Sequence, residues 1–111
     1  MALDKDRIAR EFAAAVNMAP PEIEQWLNTD ESKKVGFKEG GKGESVGHAS
    51  GKRIVKILRT REASLDDEDY AHMRKVVGYV KRHSAQRPEN IVTSRWRYSL
   101  MNWGHDPLKE D

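Results

Sequence analysis

The sequence predicts an all-α fold: a single small domain, residues 1–111, of about five helices with a glycine-rich loop between the second and third. Three observations carry this. Apolar residues recur at spacings of three and four in several separate stretches, the signature of a helix with one buried face. Capping residues and prolines stand where those stretches begin and end. Six glycines fall between positions 36 and 51, dividing the chain near its middle.

The first helix is expected from about Leu3 to Val16, with Ile8, Phe12, Ala15 and Val16 on one side and Asp4 and Asp6 at its positive end. Pro20 and Pro21 open a second helix, from Glu22 to about Asn28, which buries Ile23, Trp26 and Leu27. Thr29 to Lys34 adds a helical turn, and a weak strand signal covers Val35 to Lys38. Residues 36–49 read as an exposed glycine-rich loop anchored by Phe37. The third helix is expected from Ser50, as its N-cap, to Arg61, burying Ile54, Ile57 and Leu58. Lys52, Lys56 and Arg59 form its outer face.

Asp66 predicts the N-cap of the longest helix, Asp67 to about Ala85, with Asp69 completing a capping box. Tyr70, Met73, Val76, Val77 and Val80 make its stripe, and Gly78 in the middle implies close approach by a neighbouring helix or ring. A last helix is expected from Thr93, as N-cap, to Asn102, with Trp96, Leu100 and Trp103 facing inward. Gly104 is its natural stop, and residues 104–111 form a C-terminal tail in which His105 hydrogen-bonds, with Asp106 as a partner.

Composition narrows function. The formal net charge is only +2, with 34% charged residues. That balance hides an asymmetry: residues 1–30 carry three basic and six acidic side chains, and residues 31–63 carry nine and four. A local basic field is the result, able to attract an anionic partner. The absence of cysteine excludes disulfides, thiolate nucleophiles and cysteine-based zinc sites. No apolar run approaches the ~20 residues needed to cross a bilayer. With no secretory signal at the start, the expected location is cytoplasmic, away from membranes.

The chain resembles a known family across most of its length. The markers are Glu44-Ser45-Val46-Gly47-His48 with Ser50-Gly51, His72-Met73-Arg74-Lys75-Val76-Val77, Ala85-Gln86-Arg87-Pro88, and Arg95-Trp96 leading into SLMNWGHDPLK. It is similar to a set of small, mainly bacterial proteins filed as a domain of unknown function, some labelled DNA-binding protein. The resemblance implies a nucleic-acid role and supplies no catalytic residue.

Nucleotide-loop chemistry fails on spacing. Gly47 and Gly51 are separated by three residues, not the four of a P-loop, and Arg53 follows Lys52 where Ser or Thr is required. The same segment fits a simpler anion site. Ser50 as cap, the Gly51 and Lys52 amides, and the Lys52 and Arg53 side chains could hold one phosphate at a helix N-terminus; a plain capped helix fits the segment slightly better. Arg74 with Lys81 and Lys75 with Arg82, each seven apart, extend a basic surface if the third and fourth helices pair. The four histidines lack metal-ligand spacing, so no metal, cofactor or catalytic residue is expected and the chain is read as no enzyme. The expected function is DNA binding through non-specific phosphate contacts by Ser50, Gly51, Lys52, Arg53, Lys56, Arg59, Arg74, Lys75, Lys81 and Arg82. The alternative is a protein-interaction or adaptor module, including a homodimer.

Overall fold

The computed structural model describes residues 4–35 and 44–109. Among these residues it has six α-helices and no strand. α1 spans Lys5–Ala15, α2 Pro20–Leu27, α3 Asp30–Lys34, α4 Val46–Leu58, α5 Asp67–Ser84 and α6 Arg95–Asn102. Short 3-10 turns follow α4, at Glu62–Ser64, and α6, at Pro107–Lys109. Most of the predicted helix boundaries hold within a few residues.

Local chemistry starts each helix. The Asp4 carboxylate accepts from the Arg7 N–H at 3.1 Å. Pro20 and Pro21 occupy the first positions of α2, where a missing N–H costs nothing, and Glu22 accepts from the Ala19 N–H at 3.0 Å. Thr29 caps α3. Asp66 and Asp69 form the expected capping box on α5, with bonds of 2.9 and 3.1 Å.

Two predicted caps are displaced. α4 begins at Val46, and Ser45, not Ser50, is its N-cap, accepting from the His48 N–H at 3.0 Å. Residues 46–49, read as loop, are therefore helical, while Phe37 and the rest of that loop lie outside the described residues. α6 is capped by Ser94, one residue after Thr93, with its hydroxyl 3.1 Å from the Arg97 N–H. A third departure is Leu58, expected inside but exposed; Val55 takes its place beside Ile54 and Ile57.

The core is one cluster. α1 packs along α5 and α2 along α4, while α6 touches α2, α3, α4 and α5. α6 is thus the central wedge. Its Asn102, fully buried, accepts from Trp26 Nε1 at 2.7 Å and from Ser32 Oγ at 2.5 Å, and donates to Ser32 O at 3.2 Å. One side chain thereby ties α2 and α3 to α6, with its polar groups satisfied in the interior.

α6 ends in a full Schellman motif. Gly104 has φ +78°, its N–H bonds Met101 O at 3.0 Å, and the His105 N–H bonds Leu100 O at 3.0 Å. The chain then turns back onto the α1–α2 corner. Asn17 exchanges two bonds with the Asp106 backbone, at 3.0 and 2.8 Å, and His105 Nδ1 lies 2.7 Å from Ala15 O. Arg97 grips both Asp106 carboxylate oxygens at 3.1 Å. Residues 104–107 are buried, so the segment expected as a tail is a clasp.

Candidate functional site

The predicted basic residues divide between two surfaces. On α4, Ser50 and Gly51 lie inside the helix and are buried. The phosphate site expected at a Ser50 cap is therefore not formed: the Gly51 and Lys52 amides lie within the helix, beyond its open first turn. Ser50 Oγ instead meets His72 Nε2 of α5 at 2.9 Å. Burial, then the nearby Arg53 and Lys75 charges, push His72 down to about 4. The ring is neutral near pH 7, a weak base suited to accept from the Ser50 hydroxyl.

The α4 cations are mostly matched by carboxylates. Lys52 pairs with Glu44 at 2.6 Å, Arg53 with Asp69 at 3.3 Å and Arg59 with Glu24 at 2.5 Å. The Lys52 bond, followed by one from His48, holds Glu44 below the usual carboxylate range. The Asp66 N–H, with Arg53 adding to it, does the same for Asp69. Lys56 is exposed and meets no carboxylate among the described residues.

The α5 cations lie elsewhere. α4 and α5 share only a small contact; the main partner of α5 is α1. Arg74, Lys75, Lys81 and Arg82 line a groove of about 740 Å³ between α1 and α5. Arg7, Asp4 and Glu11 close it from the α1 side, so five cationic side chains face two carboxylates. Lys81 is tied to Glu11 at 2.6 Å. Arg74, Lys75 and Arg82 are exposed and meet no carboxylate among the described residues. Gly78 sits in the groove wall. A Cβ there would meet Arg82 Nη1 at 3.0 Å, so the close approach predicted at this glycine is made by Arg82 of the same helix and not by a neighbouring helix or ring.

Beside the groove runs a ladder of rings that the residue-by-residue reading missed. His72 stacks on Trp103 with centroids 6.2 Å apart, Trp103 on Tyr79 at 4.3 Å, Tyr79 on His83 at 5.0 Å, and His83 on Trp96 at 6.5 Å. Interplanar angles stay between 11° and 19°. The available signal was spacing: His72 and Tyr79 are seven apart, as are Trp96 and Trp103. Trp26 and Trp103 are buried as expected, whereas Trp96 is half-buried. Tyr98 packs on Trp26 at 5.2 Å.

A family model matches residues 11–101, under the description "Protein of unknown function (DUF3140)". The chain belongs to that family. The match runs from the C-terminal part of α1 to the last turn of α6, so it includes the cations of α4 and α5 and the rings of the ladder other than Trp103. No curated protein and no solved structure matches the chain. Among the described residues no cluster of side chains has metal-binding geometry, and no helix is long and apolar enough to cross a membrane.

Proposed function

We propose that this chain binds DNA through sequence-tolerant phosphate contacts, and that α5, not α4, is the binding helix. The observation supporting this reading is the row of Arg74, Lys75 and Arg82. These three are exposed, lie along one groove and meet no carboxylate among the described residues. A cation already matched by a carboxylate must lose that partner before it can meet a phosphate, and Lys52, Arg53 and Arg59 are in that position. Phosphate contacts give affinity without reading sequence. The protein-interaction alternative has less to draw on: the exposed apolar residues Val46, Leu58, Val92 and Leu108 are spread over separate parts of the chain. The reading includes no catalytic step.

Fluorescence anisotropy with a labelled duplex at several salt concentrations tests the proposal. Three phosphate contacts predict a slope of roughly −3 in log affinity against log salt. Reversing the row, with Arg74→Glu, Lys75→Glu and Arg82→Glu together, is expected to lower affinity more than ~100-fold at ~50 mM salt. Unchanged affinity in that variant, or no binding by the parent chain, would sink the reading. Preference for RNA over duplex DNA would redirect it.

A further inference from the structure

A second pocket lies on the other side of the α5 cations. It measures about 280 Å³ and is bounded by Val46 and Gly47 of α4, Tyr79 of α5, and Ser99 and Trp103 at α6. Lys75 and Arg82 stand at its edge, and no carboxylate lines it among the described residues. Its walls are mainly apolar, and its volume lies near the lower end of small-molecule sites, which start at roughly 300 Å³.

One polar group in this wall lacks a partner. The indoles of Trp26 and Trp96 donate to Asn102 Oδ1 and His83 O. Trp103 is 4% exposed, and its Nε1–H has no acceptor among the described residues. This nitrogen is not among the fully enclosed polar atoms without a partner, so it is open to a ligand in the pocket that Trp103 lines. The position of Gly47 keeps it open: a Cβ there would stand 3.0 Å from Trp103 Nε1. Burial raises the Tyr79 phenol, so the ring beside this donor stays uncharged at neutral pH.

We infer that this pocket binds a small aromatic carboxylate, its ring against the Tyr79 and Trp103 side chains and its carboxylate taking the Trp103 indole N–H, with Arg82 and Lys75 balancing the charge. The donors and cations select an anion, the apolar wall selects a ring, and the volume limits the ligand to about one ring. The inference does not rest on the nucleic-acid reading. Because Lys75 and Arg82 border both the pocket and the groove, a bound carboxylate would also compete with phosphate for them.

Nitrogen-15 correlation spectra provide the test, because the three indole N–H groups report separately and Trp103→Phe identifies the third. Benzoate is expected to shift the Trp103 resonance saturably while leaving those of Trp26 and Trp96 nearly still. Benzamide, which lacks the charge, and acetate, which lacks the ring, are each expected to bind at least ~10-fold more weakly. Gly47→Ala should abolish the shift by closing on the indole nitrogen. Arg82→Gln, at an exposed position that leaves the fold intact, should weaken benzoate about tenfold. The inference is overturned if benzoate gives no saturable shift up to ~10 mM, a Kd weaker than which carries little selectivity. It is equally overturned if benzamide or acetate matches benzoate, or if Arg82→Gln binds as well as the parent chain.

Discussion

α4 and α5 each carry a glycine in mid-helix and basic residues at helical spacing, yet the two helices use them in opposite ways. Gly51 on α4 faces inward, where a Cβ would stand 2.7 Å from the Asn102 backbone oxygen and 2.7 Å from Leu27 Cδ2. Gly78 on α5 faces a groove, where a Cβ meets only the end of Arg82. The cations follow the same division. Those of α4 are largely held by carboxylates from the preceding loop, α2 and α5, whereas Arg74, Lys75 and Arg82 of α5 open onto solvent and only Lys81 among the four is held, by Glu11. Helical spacing shows which residues share a face. It does not show whether that face is a seam or a surface, because the neighbours come from elsewhere in the chain.

The contrast can be broken most directly at the glycines. Gly51→Ala should destabilise the protein by about 3 kcal/mol, since neither a backbone oxygen nor a packed leucine can yield cheaply. Chemical denaturation would measure it, and a loss below ~1 kcal/mol would show that α4 can move away from α6. Next in size is the seam between Ser50 and His72. The folded-state pKa of His72 is depressed to about 4, from 6.5. Between those values the unfolded chain binds a proton that the folded one does not, so stability should fall as pH drops through that window. His72→Gln, which can still accept from Ser50, should flatten that part of the stability profile.

Lys52→Glu with Arg53→Glu sharpens the comparison on charge. Breaking two exposed or half-exposed pairs is expected to cost about 1 kcal/mol of stability. Its effect on DNA affinity should be much smaller than that of reversing the α5 row, and equal effects would return α4 to the interface. Gly78→Ala should have the smallest effect and the opposite sign. It gains up to about 1 kcal/mol of helix propensity, provided the Arg82 guanidinium shifts by a few tenths of an ångström. A melting temperature lower than the parent's would mean that Arg82 is pinned.

These outcomes also mark how far the sequence was legible. α5 could be read nearly to the residue because its signals are local: a capping box at Asp66 and Asp69, an apolar stripe, and basic residues in the last turns. The Gly104 stop was legible for the same reason. The start of α4 was not. Gly47, Ser50 and Gly51 resemble loop residues by composition, but Gly47 and Gly51 are small because α6 passes against them. Ser45 and Ser50 are equally good caps locally, and burial of the intervening turn decides between them. The cationic residues of α4 and α5 stand out in the sequence as a set. Their division into matched and open groups depends on Glu44, Glu24, Asp69 and Glu11, which reach them from other segments or turns. The Trp103 pocket combines parts of α4, α5 and α6, so no single stretch announces it.

The clasp formed after α6 has a consequence for the order of folding. Asn17 and Asp106 are joined across 89 positions, and His105 reaches Ala15 across 90. Contacts between such distant positions require most of the chain's loop-closure entropy to be lost before they can form, and they slow folding relative to local pairings. During synthesis, α1 and α2 emerge first, but their shared corner cannot be sealed until the residues beyond α6 have left the ribosome. The N-terminal helices of this chain therefore wait, incompletely packed, for the segment that follows α6.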